Sequence, residues 1–526
     1  MQQTEKLQKA VKMTLTAGYQ LNKDAFDLLE MLSSIEDPAC IIEKVLQKIA
    51  ELKERPFFID RNFIEELLQE IEPRTEIATN QEPLSTVIEP TTAHQEQKSL
   101  QVTEAKRPFH PFAKEVQSQL NVIEDAGIRL SSDGTIEDYL EYFRDRFIKL
   151  DKLLRQRMDV RSAASIMDAL KAQPSTKLKI VGMVTEKREV KQKIILNVED
   201  LQANMTALVP QNASQELQKK AHMLLLDQVV CLSVVKSRSN LLIVEDIIFP
   251  DVPQRTPHKA PIPVYAVLTS DMHVGSTKFQ REAFNRFVLW LNGKYGNNGM
   301  RDIAGHVKYV IVAGDIVDGV GIYPNQIKEL AIRDINKQYR FAAKCFEQIP
   351  DYIEVLITPG NHDATRKALP QPAITSEFLG GPQESRAIRS LGSPCLVGLH
   401  GVEVLVYHGR SIDDINSTIA GIDNDHPEKA MKLLLQGRHL APVYGGKTLL
   451  SPEYRDSLVI ERVPDIFHAG HIHALGHTTY RGVLLINSGG WQEQTDYMQR
   501  LGFTPTPSKV PVVNLQTLEI TIVPFN

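Results

Sequence analysis

The sequence predicts a multidomain α/β protein, and three patterns carry that prediction. Residues 1–72 have helical periodicity. Residues 177–250 break into about five short strand-like runs. From residue 261 onward, continuous apolar strands alternate with helical stretches. The chain of 526 residues exceeds what one hydrophobic core usually supports, so several domains are expected.

Composition narrows the class. The chain is 42% hydrophobic and 24% charged, as in water-soluble globular proteins, and its formal net charge is -5. That balance excludes a basic coat for nucleic acid over the whole molecule, although a local basic groove stays open. The four cysteines, at 40, 231, 345 and 395, have no close pairing. This fits neither a disulfide framework nor a thiolate zinc site, and it suits a reducing cytoplasm. The polar start "MQQTEKLQKAVKM" lacks an apolar signal core, and no apolar run is long enough to span a bilayer, so no membrane association is expected.

Within residues 1–72, "FDLLEMLSSI" and "IIEKVLQKIAEL" space apolar residues three and four apart, and Asp60 is placed to cap a further helix in "DRNFIEELLQEI". This reads as a helical module, a scaffold or docking element without chemistry. Residues 73–110 lose the periodicity and are rich in Pro, Thr, Glu and Gln, the composition of a flexible linker. Residues 111–176 read as a helical connector. In "TIEDYLEYFRDRFIKLDKLLRQ", Thr135 and Asp138 have capping-box spacing, and Lys149, Lys152, Arg155 and Arg157 form a basic end, either a solvated face or a phosphate contact.

Residues 177–250 contain "LKIVGMVTEKREV", "KIILNVED", "MTALVP", "DQVVCLSVVKS" and "NLLIVEDIIFP". Five short strands in this length suggest a barrel of the oligonucleotide-binding (OB) type. Its strands are nearly free of aromatics, so a barrel that packs on other domains is at least as good a reading as a base-stacking platform.

Residues 261–526 hold the strands "VYAVLTSD", "VKYVIVAGD", "YIEVLITPGNHD", "VEVLVYH", "PDIFHAGH" and "GVLLINSGG". Nearly all are continuously apolar rather than alternating and should be buried on both faces, with ligands gathering at their carboxyl ends. Those ends carry Asp271 and His273, then Asp315 with Asp318 behind it, then Asn361, His362 and Asp363, then His408, then His471 and His473. The stretch "HAGHIHALGH" alone holds four of the chain's 15 histidines. Imidazole and oxygen donors without thiolate suit divalent Mn, Fe, Zn or Ni. Seven or eight groups are too many for one tetrahedral ion and suit two ions sharing a carboxylate, about 3.5–4 Å apart, as in phosphoryl hydrolysis. In Asp271-x-His273 and His471-x-His473, alternation along an extended segment aims both side chains one way.

Several neighbours keep two readings. His468 and His477 fit as residues behind the ligands or on the surface. Asp318 is a supporting residue or a turn former. His362 need not bind metal and is placed to give a proton to a leaving oxygen. Asp363 either orients His362 or caps the next helix. Arg410 and the cations of "RKALPQP" either grip phosphate or solvate loops. Trp491 and Tyr497 either stack on a base or pack helices.

The motif order D-x-H, G-D, G-N-H-D, H, G-H-x-H resembles that of the calcineurin-like metallophosphoesterases over roughly residues 261–500. The resemblance implies a β-sandwich flanked by helices. It also implies one metal on Asp271, His273, Asp315 and His473 and another on Asp315, Asn361, His408 and His471, with His362 as proton donor. The ions implied are two divalent cations, Mn foremost, with Mg, Fe and Zn as alternatives. The order of helical module, linker, barrel and phosphoesterase, with the tail "SGGWQEQTDYMQRLGFTPTPSKVPVVNL", is similar to the small-subunit family of archaeal family D DNA polymerases. That implies a proofreading 3'→5' exonuclease, which also serves as scaffold for a large polymerising subunit, with DNA as substrate and other replication proteins as partners of the N-terminal module. Two other readings stand beside it: a free-standing phosphatase or phosphodiesterase, and a non-catalytic scaffold subunit.

Overall fold

The computed structural model describes residues 2–51 apart from 18, 20, 22 and 34–36, positions 59 and 64, and residues 108–526 apart from 129, 239–240, 380–387 and 501. By its contacts the chain forms two compact units, divided after Arg107.

The first unit is helical. Helices Gln2–Thr16, Lys23–Leu32 and Pro38–Glu51 bury Ala10, Ala25, Leu29, Ile41, Ile42, Val45 and Ile49, with Ile59 and Ile64 against them. Asp37 starts the third helix. Its Oδ1 accepts the Ala39 N–H at 3.0 Å, and Pro38 occupies the first helical position, where a missing N–H does no harm. The proposed Asp60 cap and the linker up to Arg107 lie outside the described residues.

The second unit begins with a departure from the expected helical connector. Residues Leu120–Asp125 are a strand, β1, paired antiparallel with residues 395–399. The helix Ile136–Arg155 follows as expected. The Thr135 side chain accepts the Asp138 N–H at 3.2 Å and the Asp138 side chain accepts the Thr135 N–H at 3.0 Å, a complete capping box. Its buried face sets Phe147, Leu150 and Leu154 against Val181, Val229, Cys231 and Ile248 of the barrel.

The barrel consists of β2 (Lys177–Val190), β3 (Lys193–Glu199), β4 (Asn204–Val209), β5 (Val229–Lys236) and β6 (Leu242–Ile248), closed in the order β2-β3-β4-β6-β5. Alternate residues of β3 and β4 point inward: Ile194, Leu196 and Val198 meet Met205, Ala207 and Val209. Helix Gln215–His222 adds Leu217 and Ala221 to that core.

The remaining strands build two six-stranded sheets. One has the order β1-β11-β12-β13-β15-β14, from Cys395–Leu399 (β11), Val402–Val406 (β12), Ile466–Ala469 (β13), Leu475–Tyr480 (β14) and Val483–Ser488 (β15). The other has the order β10-β9-β8-β7-β16-β17, from Tyr265–Thr269 (β7), Val307–Ala313 (β8), Glu354–Thr358 (β9), Ile388–Ser390 (β10), Lys509–Asn514 (β16) and Ile520–Pro524 (β17). Ala266, Leu268, Ile311 and Ala313 of one sheet share a core with Val404, Val406, Ile466 and Ile486 of the other. Outside the first sheet, helices Ile412–Thr418 and Pro427–Gly437 cover Leu405, Phe467 and Leu485. β8 is buried on both faces, which explains its apolar run from Tyr309 to Ala313. Strands β7, β8 and β9 run parallel, as do β12, β13 and β15, so two sets of carboxyl ends are available for a site.

A charged contact joins the connector helix to the sheets. Arg146 donates to Asp456 at 2.7 Å with both side chains fully buried, and His439 Nε2 donates to the same carboxylate oxygen at 2.8 Å. Among the described residues, no helix is long and apolar enough to cross a membrane.

Candidate metal centre

Each predicted ligand leaves the chain just past a strand. Asp271 and His273 follow β7, Asp315 follows β8, Asn361 follows β9, His408 follows β12, and His471 and His473 follow β13. The turns are sharp. Asp271, His273, Asp315 and His471 have φ of 50°, 49°, 52° and 68°, a left-handed region that side chains rarely adopt. Gly314 and Gly360 permit the close approach behind them, since a Cβ at Gly360 would overlap the Asp315 carboxylate and one at Gly314 would strike the His408 ring.

The structure brings all seven residues together. His273 Nε2 lies 3.1 Å from His473 Nε2 and 3.8 Å from Asp271 Oδ1, which is 3.5 Å from His473 Nε2. Asp315 Oδ2 stands between two imidazoles, 3.7 Å from His273 Nε2 and 3.3 Å from His408 Nε2. His408 Nε2 is 3.0 Å from Asn361 Oδ1. Donor atoms of Asp315, His408 and His471 fall within 4.8 Å of one another. Donors held about 2.1 Å from a common ion sit roughly 3.0–3.4 Å apart, so this spacing fits metal coordination.

Two further observations test that fit. Asp271 Oδ1 is buried and has no hydrogen-bond partner among the described residues. Such an oxygen is costly unless a cation faces it. The imidazoles are also locked in ligand tautomers. His273 Nδ1 donates to Asp318 Oδ1 at 3.0 Å, and His408 Nδ1 donates to the Ala313 carbonyl at 2.8 Å, leaving each Nε2 lone pair toward the centre. The residues present therefore fit two divalent ions sharing Asp315.

The electrostatics agree. Burial penalises the Asp271 charge, but His273 and His473 outweigh it and hold that carboxyl well below the usual range. Burial likewise opposes Asp315, which His408 and His362 hold low. Burial alone would push His273 and His408 down. Asp271 and Asp318 instead raise His273 to about 10, and Asp315 raises His408 to about 9. A field that strong for protons also attracts cations.

The neighbours resolve as follows. Asp318 accepts from His273, and from Gln326 and Gln492 at 2.9 and 3.2 Å, and donor atoms of Asp318, His273 and His362 also fall within 4.8 Å of one another. His362 meets His273 edge-on at 4.6 Å between ring centres, and its Nδ1 donates to the Asp318 carbonyl at 2.7 Å. Burial pushes His362 down to about 4. Asp363 neither orients His362 nor caps a following helix, since among the described residues the next helix begins at Ile412. It accepts the Gly360 N–H at 2.9 Å and the Tyr339 hydroxyl at 3.0 Å, bracing the loop. His468 is buried and bonds Ser488 at 3.1 Å, Ser488 pairs with Ser270 at 2.8 Å, and Ser270 donates to Asp271. His477 is exposed. Trp491 cannot stack on a base, because it is buried 4.9 Å from Phe284 and 5.3 Å from Phe287 and donates to Thr269 at 2.7 Å. Tyr497 is 64% exposed. Of the "RKALPQP" cations, Arg366 pairs with Glu453 at 2.6 Å and Lys367 donates to the Asp363 carbonyl at 2.7 Å.

Sequence reasoning missed Asp413. Its Oδ2 lies 3.1 Å from His471 Nε2 and 2.9 Å from the Arg410 guanidinium. Burial opposes its charge, and His471 holds it well below the ordinary range. His471 Nε2 is thus flanked by the Asp413 carboxylate and by Arg410 Nη1 at 3.4 Å. The acidic pair in "HGRSIDD" was the signal available, but which acid turns inward depends on the helix at 412–418.

Comparison with known proteins places this chain. The family of DNA polymerase alpha/epsilon B subunits matches residues 266–475, the span of all the predicted ligands. The DNA polymerase II small subunit of Archaeoglobus fulgidus is 36% identical over 504 residues, covering 95% of this chain and 94% of that protein. Its counterpart in Halobacterium salinarum is 33% identical over 98% of this chain and 99% of its own length. That of Methanothermobacter thermautotrophicus is 39% identical over 76% of this chain and 82% of its own. With near end-to-end similarity to proteins of one description, the chain belongs to the DNA polymerase II small-subunit family of archaeal family D polymerases.

Proposed function

We propose that this chain is the 3'→5' exonuclease of an archaeal DNA polymerase II, a calcineurin-like phosphoesterase that also serves as scaffold for the large polymerising subunit. The single observation that carries the reading is Asp315 Oδ2 between His273 and His408, with a carboxylate–imidazole set on either side. A non-catalytic scaffold has no use for seven donors gathered at one place, four of them in strained turns. A free-standing phosphatase has no use for the barrel and helical module shared with small subunits.

Metal A would be held by Asp271, His273, Asp315 and His473, and metal B by Asp315, Asn361, His408 and His471. Bound there, two divalent ions, Mn foremost, supply charge neutralisation at the phosphoryl group. The protein does the rest. Asp318 and the Ala313 carbonyl fix the imidazole tautomers, and Asp413 fixes His471. In hydrolysis a water oxygen adds to the terminal phosphodiester phosphorus, the bond to the 3'-oxygen of the penultimate nucleotide breaks, and a mononucleotide leaves. His362 supplies the proton to that 3'-oxygen. An anionic phosphodiester against its ring favours the protonated form that burial alone disfavours. Arg410, held by Asp413 at the rim, is placed to contact the phosphate.

The large subunit, DNA ends and other replication proteins are the partners of this reading, and the cytoplasm is its setting. The test is shortening of a 5'-labelled strand from its 3' end by the purified chain with Mn. No shortening with Mn, Mg, Fe or Zn, alone or with the large subunit, sinks the exonuclease reading.

A further inference from the structure

The loop that follows Asp318 is not used by the chemistry above. It runs from Gly319 to Glu329 and is anchored to the centre from beneath: Gln326 donates to both the carbonyl and the carboxylate of Asp318, at 2.8 and 2.9 Å. Gly319 is fixed from the other side by Gln338, whose Oε1 accepts its N–H at 2.9 Å. On this anchored loop Tyr323 stands beside the proton donor, its ring 6.3 Å from that of His362 and tilted by 60°. Its hydroxyl donates to Glu329 at 3.1 Å, which fixes the ring. Tyr323 is half-buried, and two apolar side chains of the same loop face solvent, Val320 at 42% and Ile327 at 47% exposure.

A loop braced against a charged centre has no folding reason to turn an aromatic and two aliphatic groups outward. A nucleobase gives one, since its faces stack on aromatic rings without regard to sequence. The position also selects which base. His362 gives its proton to the 3'-oxygen of the penultimate nucleotide, so the nucleotide bonded through that oxygen lies on the His362 side. The departing mononucleotide lies toward His471 and Arg410, which share Asp413.

We propose that Tyr323 is the stacking platform for the penultimate nucleobase, so that the enzyme grips the strand that stays rather than the nucleotide that leaves. This rests on the exonuclease reading. It makes the fit of the last base indifferent to its identity, as removal of any mismatched end requires.

The test uses the full-length chain assembled with its large subunit, with Mn present and deoxynucleotides withheld. The substrates are three 5'-labelled single strands: one with all bases, one abasic at the penultimate position and one abasic at the terminal position. The readout is kcat/KM for the first cut. The wild type is expected to slow roughly 5- to 150-fold on the penultimate abasic strand, the usual worth of one stacked base, and far less on the terminal one. Tyr323→Ala should be slowed by a similar factor on the intact strand and should no longer distinguish it from the penultimate abasic strand. Tyr323→Phe should keep the distinction, which separates ring stacking from the Glu329 hydrogen bond. The inference is overturned if the wild type is indifferent to the penultimate base, if it responds to the terminal base instead, if Tyr323→Ala still discriminates, or if Tyr323→Phe does not. Failure of the wild type to cut the intact strand removes the exonuclease reading and this inference with it.

Discussion

The Nε2 atoms of His273 and His473 face each other at 3.1 Å, although 200 residues separate them in the chain. Asp318 accepts the Nδ1–H of His273, so Nε2 is the atom that meets the other ring. Next to an unpartnered Asp271 oxygen, this pairing is far better served by a divalent ion than by a shared proton. Adding Mn to chelator-treated protein should therefore raise the melting temperature. At 100 times Kd the gain corresponds to about 2.7 kcal/mol per independent site. A melting curve indifferent to Mn, Fe and Zn would mean that the cluster does not bind them.

Asp315→Ala removes the oxygen common to both imidazole sets. Both ions should loosen together, and exonuclease activity should vanish while the far-UV circular dichroism stays that of the wild type. Metal analysis that still finds two tightly held ions would show that Asp315 is not the bridge.

His362→Ala removes none of the seven donors, and the N–H that Asp315 accepts at 2.8 Å is backbone and remains. Its metal content should equal that of the wild type while the rate falls roughly 10²–10⁴-fold, the usual worth of a positioned proton donor. Loss of an ion from this variant would make His362 a ligand.

Asp413→Ala takes away the carboxylate 3.1 Å from His471 Nε2. Supporting carboxylates of this kind usually change metal affinity by about 10–100-fold. The expected outcome is a weakened second ion with the first unaffected, read by competitive metal titration. Equal weakening of both ions would contradict the placement of His471 at one of them.

The buried Arg146–Asp456–His439 group sets a pH dependence of folding away from the metals. Burial pushes His439 down to about 4, and its Nδ1 accepts the Ala441 N–H at 3.0 Å, so it is held neutral. An unfolded histidine titrates near about 6.5, so between these values the unfolded chain binds the extra proton. The stabilising contribution is complete above about 6.5 and is lost as the pH falls towards 4. Asp456 is also depressed, since burial is outweighed by His439 and Arg146, and its contribution disappears only in stronger acid, below the ordinary carboxylate range. In urea titrations of chelator-treated protein, His439→Gln should lose less stability than the wild type between pH 7 and pH 4. Parallel losses would place the titration elsewhere.

The centre was legible in the sequence because every ligand follows a predominantly apolar strand, and parallel strands deliver such ends to one edge. The barrel was legible from strand spacing, and the Thr135 cap from two residues. What depended on distant partners was not. The segment "LNVIED" is half-exposed and short, and its pairing strand lies some 270 residues away, so it read as connector until β11 appeared beside it. Asp363 sits next to His362 in sequence yet serves Gly360 and Tyr339, since the sharp turn separates neighbours that share a motif. Trp491 looked available to a base because Phe284 and Phe287, which pack on it, lie some 200 residues earlier in the chain.

The left-handed backbone at Asp271, His273, Asp315 and His471 sets durability against activity. At each of these positions glycine is the relaxed residue, and each strained conformation costs on the order of 1 kcal/mol or more. Selection for thermal robustness alone, with no demand for catalysis, would favour glycine at these four positions and dismantle the centre while the sheets grew firmer. Acids and imidazoles at these four positions therefore weaken the fold locally, a cost that the proposed metal binding would offset.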